Sequence, residues 1–252
     1  MLSIAAREKA HKTSFAITSN FNKIYITLII VRIMAKPIVK SRFEEWKKDI
    51  KEHKNKILLA FLFLGIGLLS TAVSSHYVDQ VSTISVPDLI LDAIPVVNLS
   101  FLFEWGIVLV IAVYLLYPLL YRPRKFHYAL GMLSLFLLVR SAFIVLTHLK
   151  APVGAIPVAT QGVTQILTYS NDLFFSGHAG LPFLGFLIYK DSKVRYFFLS
   201  ASIILAMTVL LMHVHYSIDV ASAYFITYGI YVIGDPLFSG PDTKKKKPRK
   251  SK

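Results

Sequence analysis

The 252-residue chain contains no cysteine. That excludes a disulfide scaffold and a thiolate metal site. Charge is scarce as well: Asp, Glu, Lys and Arg make up 17% of the residues, against about 25% in an ordinary soluble domain. Acidic side chains are the rarer half, 14 against 28 Lys and Arg, for a net charge of +14. The first residues lack the apolar core of a secretory signal, so no cleaved leader is expected. No internal repeat is visible. What fills the chain instead is apolar: 55% of residues are hydrophobic, and the mean hydropathy is +0.58. A disordered chain needs the opposite balance.

The apolar residues fall in six stretches, roughly 57–73, 101–121, 128–147, 174–189, 196–214 and 216–234. A membrane-spanning helix needs about 17–25 such residues, and buried soluble helices of this length would carry a polar stripe. The expectation is an all-α, polytopic membrane protein with six transmembrane helices. Residues 1–56 read as a basic cytosolic N-terminal region with an interfacial helix somewhere in 40–56. Residues 57–235 read as a six-helix membrane domain, and 236–252 as a basic disordered cytosolic tail.

The basic excess then serves topology. Of the 28 cations, all but Arg140 and Lys150 lie in 1–56, in the links 122–127 and 190–195, or after Pro241. Six spans put these four segments on one side, and the positive-inside rule makes that side cytoplasmic. Both termini are expected there. Nucleic-acid binding would need a basic patch with base-reading partners, so no nucleic acid is expected. The run Lys244–Lys247 with Arg249 and Lys250 reads as a solvated tail that can also meet lipid headgroups.

Ionisable residues within spans are costly and usually mark function. With this topology, Glu104 at the start of helix two, Arg140 near the end of helix three and Asp172 and His178 around the start of helix four gather on the non-cytoplasmic side. His215 and Asp219 at the start of helix six join them. Taken singly, each has a bland reading as an interfacial His, an N-terminal Asp or a snorkelling Arg. Together they predict one polar pocket.

Two local patterns give that pocket chemistry. The four-residue spacing of His215 and Asp219 puts them on one helix face. The carboxylate can then fix the imidazole tautomer and leave the other nitrogen as a nucleophile or base. Ser176-Gly177-His178 opens a helix. The glycine allows close approach, while the hydroxyl and first-turn amides can hold an anion. His178 then serves as general acid. Two histidines, one with a carboxylate partner, suit phosphoryl transfer through a phosphohistidine. No metal or other cofactor is expected.

Ser-Gly-His followed by His-x-x-x-Asp resembles the type 2 phosphatidic acid phosphatase superfamily, and longer strings resemble its sphingomyelin-synthase-like branch. These are Asp172-Leu173-Phe174-Phe175-Ser176-Gly177-His178 and His213-Val214-His215-Tyr216-Ser217-Ile218-Asp219-Val220 with Ala223-Tyr224-Phe225-Ile226-Thr227. Pro87-Asp88, Glu104, and Arg140 with Thr147 and Pro152 are similar to its upstream motifs. The resemblance covers about 86–235. It implies a six-span fold, His215 as nucleophile, Asp219 as its orienting group and His178 as acid. It implies Glu104, Arg140, Asp172, Ser176 and Gly177 as substrate-binding residues.

The superfamily's phosphomonoesterases carry Lys-x6-Arg-Pro and a Ser-Arg ahead of the nucleophilic His. Here the latter pair is Thr208-Val209, and the Arg122-Pro123 pair has Leu115 where the Lys would be. Fewer cations fit a singly charged phosphodiester. The expectation is a phosphotransferase moving a headgroup phosphate from phosphatidylcholine or phosphatidylethanolamine to ceramide, with diacylglycerol as the other product. The alternatives are a lipid phosphatase or phospholipase C, or a non-catalytic lipid transporter or scaffold. Organelle and oligomeric state stay open, a homo-oligomer included. Asn98-Leu99-Ser100 is a glycosylation sequon beside the membrane.

Overall fold

The computed structural model describes residues 44, 46–48, 51–81, 84–157 and 172–239. The chain divides into two units, Met1–Glu52 and His53–Lys252. In the first, the described residues are helical, with surface ion pairs Lys47–Glu44 and Lys48–Glu52. The expectations for 1–40 and for the tail beyond Ser239 lie outside the described residues.

The architecture is helical. The helices are α1 (Lys51–Val81), α2 (Ser100–Tyr121), α3 (Phe126–Val145), α4 (Gly177–Ile188), α5 (Val194–Leu211) and α6 (Ser217–Phe238). Short 3₁₀ turns occupy Leu91–Ala93 and Pro123–Lys125. Among the described residues the one extended pairing is an isolated parallel bridge between Ile84 and Leu149. Five helices, all but α4, are long and apolar enough to cross a membrane.

The helix α4 differs from expectation. Its 12 residues rise about 18 Å, short of a hydrocarbon core of about 30 Å. The reason lies at its N-terminus. Residues 172–176 do not wind into helix, because Arg140 holds the carbonyls of Asp172 and Phe175. The first helix differs the other way: 51–56 belong to α1, and α6 runs on to Phe238.

Outward faces are apolar throughout: Leu62 and Leu69 on α1, Phe101 and Trp105 on α2, Phe225 and Ile233 on α6 are all exposed. Exposed apolar surface on this scale belongs against lipid. Inward, small residues let backbones approach, as membrane packing requires. A Cβ on Gly180 would stand 2.8 Å from Thr227 Oγ1, and one on Gly185 would stand 2.5 Å from the Phe198 ring. These two glycines set α4 against α6 and α5. Thr71 Oγ1 and Ser141 Oγ meet at 3.3 Å between α1 and α3.

Links of a few residues make α2 and α3, and likewise α4, α5 and α6, antiparallel. Bonds from Arg140 near the end of α3 to Asp172 and Phe175 bring the start of α4 beside it. The starts of α2, α4 and α6 therefore share one end with the finishes of α3 and α5. Loops knit that end together. Val97 N–H donates to Leu211 O, and Ile156 N–H to Met212 O. Asn98 Oδ1 accepts from Ser100 N–H and Oγ, which starts α2. Asp88 Oδ1 accepts from Ile90 and Leu91 N–H and so caps the first 3₁₀ turn.

Candidate active site

Each expected polar residue near this end can be followed through its backbone. Ser176 is the N-cap of α4, and Gly177 and His178 are its first two helical residues. The first-turn amides at Gly177, His178 and Ala179 have no carbonyl one turn earlier in the helix. Ser176 N–H donates to the Asp219 carbonyl at 3.1 Å. That bond joins the start of α4 to the start of α6, and with it the Ser-Gly-His turn to the His-x-x-x-Asp turn.

Asp219 lies in the first turn of α6, where a carboxylate suits the helix dipole. Its Oδ2 reaches back to Tyr216 N–H at 2.9 Å, the return half of a capping box. The same oxygen stands 3.4 Å from His215 Nδ1. The pairing is the expected one but its geometry is not. His215 precedes the helix instead of riding on its face, since Tyr216 is extended and α6 begins only at Ser217. The carboxylate folds back across the cap to meet the imidazole. His213, two residues earlier, is buried and takes a left-handed backbone conformation (φ 55°).

His178 is buried, and its ring stacks on Phe103 of α2 with centroids 3.9 Å apart. It also hydrogen-bonds to the Phe103 backbone, and it lies within electrostatic range of His215 and Arg140. The bond to Phe103 leaves Nε2 as the remaining nitrogen. Among the described residues that atom has no hydrogen-bond partner. Pro182 has no N–H to offer the His178 carbonyl one turn before it, so the first turn of α4 is also free of that constraint.

Arg140 is buried under the Ser-Gly-His turn. Its Nη1 donates to Asp172 Oδ2 at 2.8 Å, Nη2 to the Asp172 carbonyl and Nε to the Phe175 carbonyl at 3.0 Å. The guanidinium passes so close to Gly177 that a Cβ there would stand 3.3 Å from Nε. Glycine is needed at that point for closeness. Asp172 is therefore the counter-ion of Arg140, and three of five guanidinium donors are engaged.

The structure thus brings His178, His215, Asp219, Arg140, Asp172, Ser176 and Gly177 to one place. Glu104 is on the same end of α2 but half-buried, about 100° round the helix from Phe103. Among the described residues no hydrogen bond or ion pair ties it to the others. No three His, Asp or Glu side chains among the described residues gather as metal ligands would.

Five buried polar atoms around this cluster have no hydrogen-bond partner among the described residues: Ser176 Oγ, His178 Nε2, Asp172 Oδ1, Asp219 Oδ1 and His215 Nδ1, the last facing Asp219 Oδ2 at 3.4 Å. Such atoms are rare in folded proteins and call for an explanation when they cluster. An imidazole backed by a carboxylate, a second imidazole, a hydroxyl, first-turn amides and one guanidinium can together handle a tetrahedral oxyanion.

Sequence reading missed Phe103 and Tyr216. Nothing in the sequence marks Phe103, one apolar residue among many in α2. Tyr216 is flagged only by its place between His215 and Asp219. Comparison of the chain with family models, with curated proteins and with solved structures found no match.

Proposed function

We propose that the protein is a membrane lipid phosphotransferase that carries a phospho-headgroup on His215. The donor is a choline or ethanolamine glycerophospholipid and the acceptor is ceramide. In the first step His215 Nε2 attacks phosphorus and the bond from phosphorus to the glycerol oxygen breaks. His178 gives its proton to the departing oxygen, which leaves as diacylglycerol. In the second step His178 takes the proton of the ceramide hydroxyl, whose oxygen attacks phosphorus and frees His215. Asp219 holds the His215 ring and stabilises the imidazolium formed on the way.

The observation that carries this reading is the Ser176–Asp219 backbone bond. It joins two separate motifs so that both histidines border the same cluster of unpartnered polar atoms. Charge supports a diester over a monoester donor. Arg140 is already matched by Asp172, so little net positive charge remains for a dianion. With Asp172 so engaged, Glu104 is the better carboxylate for the headgroup ammonium. Membrane topology follows as part of the proposal: six crossings, α4 completed by its flanking residues, the site facing away from the cytoplasm and both termini within it.

The test is full-length protein in mixed micelles of phosphatidylcholine, phosphatidylethanolamine and labelled ceramide, with products resolved by mass spectrometry. A ceramide phosphodiester formed by the wild type and absent with His215→Ala supports the reading. Release of inorganic phosphate from phosphatidic acid with no ceramide product contradicts it.

A further inference from the structure

Residues Ile84–Asp88 cross the site end between α1 and α2, and their polar atoms converge on the turn that carries His215. Ile84 bridges to Leu149, and its carbonyl accepts from Lys150 N–H. Ser85 Oγ donates to Ala151 O at 2.7 Å. Tyr216, buried between them, accepts from Val86 N–H at 3.1 Å and donates its hydroxyl to Lys150 O at 2.9 Å. Asp88 completes the set. Its Oδ2 accepts from Ser217 N–H at 2.7 Å and from Ser217 Oγ at 2.8 Å, while Oδ1 holds Ile90 and Leu91 N–H.

The residue before a helix usually holds the second or third amide through its side chain, and the first amide is left to water or to another segment. In α6 the residue before is Tyr216, whose hydroxyl goes to Lys150. The first amide, Ser217 N–H, is held by a carboxylate 129 residues earlier in the chain. Ser217 lies between His215 and Asp219, so whatever fixes its backbone fixes the separation of that pair. Burial pushes the Asp88 carboxyl up, but hydrogen bonds from Ser217, Leu91 and Ile90 outweigh it and hold the group below 3.8. It is therefore ionised and a strong acceptor at neutral pH.

We propose that Asp88 is a positioning residue: through Ser217 it clasps the first turn of α6 and sets His215 and Asp219 at their working separation. The kinetic part of this proposal rests on the phosphotransferase reading, and the structural part does not.

Two full-length variants test it. Asp88→Ala removes the clasp. Ser217→Pro removes both Ser217 donors while suiting the helix, since proline is favoured at the first helical position and Tyr216 already has the extended backbone it needs. In the micelle assay both variants are expected to lose about 30–100-fold in kcat with KM within about 3-fold, as a misplaced catalytic pair does. A second readout needs no turnover. Diethyl pyrocarbonate is added to each protein and carbethoxylation of His215 is followed by peptide mass. His215 is 5% exposed, and release of its turn should speed modification by at least about 5-fold in both variants.

Wild-type kcat and wild-type modification rates in both variants overturn the proposal. So does an Asp88→Ala protein that melts early beside a Ser217→Pro protein with normal kcat, because Asp88 would then be only structural. If the wild type forms no product yet both variants expose His215, the clasp stands and the phosphotransferase reading falls.

Discussion

Where α2 passes to α3 and α4 to α5, polar side chains find one another. Tyr117 meets Ser192, Tyr128 donates to Asp235 at 2.7 Å, Lys190 donates to Tyr231, and Lys125 reaches Asp191. Tyr189 and Tyr114 close on backbone carbonyls. At the other end, Ser176 Oγ, His178 Nε2, His215 Nδ1, Asp172 Oδ1 and Asp219 Oδ1 are buried without hydrogen-bond partners among the described residues. They are held there by a lattice of backbone bonds that does pair: Ser176 to Asp219, Val97 to Leu211, Ile156 to Met212. One end uses polarity to close helices on each other. The other closes through backbone bonds and through the side-chain bonds of Asp88 to Ser217 and Arg140 to Asp172, and still leaves side-chain capacity over, as a ligand site does.

Removing that capacity at its centre should have the largest effect. His215→Ala is expected to lower turnover by at least about 10³-fold, because the proposed nucleophile is lost, and to melt somewhat earlier, because a buried ring facing Asp219 goes with it. Asp219→Asn should cost about 10²-fold in kcat through a misheld imidazole. It should also melt earlier, because the amide can no longer serve Tyr216 N–H and His215 together.

Two glycines sharpen the contrast between packing and site. In Gly177→Ala the new methyl presses on Arg140 at 3.3 Å. Arg140 is anchored on three acceptors and cannot yield freely, so turnover should drop about 10-fold with melting nearly unchanged. In Gly185→Ala the methyl meets Phe198 at 2.5 Å. There stability should fall by about 1–3 kcal/mol, while the folded fraction keeps its specific activity. The reverse pattern would dissolve the distinction between the ends.

The smallest effects belong to single hydrogen bonds. Tyr128→Phe should cost about 1 kcal/mol in detergent melting and nothing in kcat. Asp88 adds a pH test with a definite sign. Its folded pKa is lowered below 3.8, so its stabilisation is complete above the unfolded value and is lost as pH falls through the folded one. The melting gap between wild type and Asp88→Ala should therefore be constant above about pH 5 and shrink steadily below about pH 4.

Much of this is readable in the amino-acid order. Long apolar runs define α2, α3, α5 and α6 because a spanning helix must satisfy its own backbone. The alternating direction of these runs brings Arg140, His178 and His215 to one end. Three features are hidden. The shortness of α4 depends on Arg140 capturing carbonyls of residues 172–175, a tertiary contact that no local propensity signals. The start of α6 after His215 depends on Tyr216 being drawn toward Val86 and Lys150. The capping role of Asp88 spans 129 residues: Pro87-Asp88 stands out in the sequence by its resemblance to an upstream motif, but nothing there ties it to Ser217. Where a single helix decides geometry, sequence spacing suffices. Where loops from distant segments share a hydrogen-bond network, it does not.

The central claim is a covalent bond between phosphorus and one imidazole, and rapid quenching tests it most directly. Full-length protein is mixed with phosphate-labelled phosphatidylcholine without ceramide, quenched in alkali and digested, and the labelled peptide is sequenced by mass. A phosphocholine adduct on His215 is expected, removed by added ceramide and absent in His215→Ala. Diacylglycerol release with no adduct at any quench time, or an adduct on another residue, would contradict it.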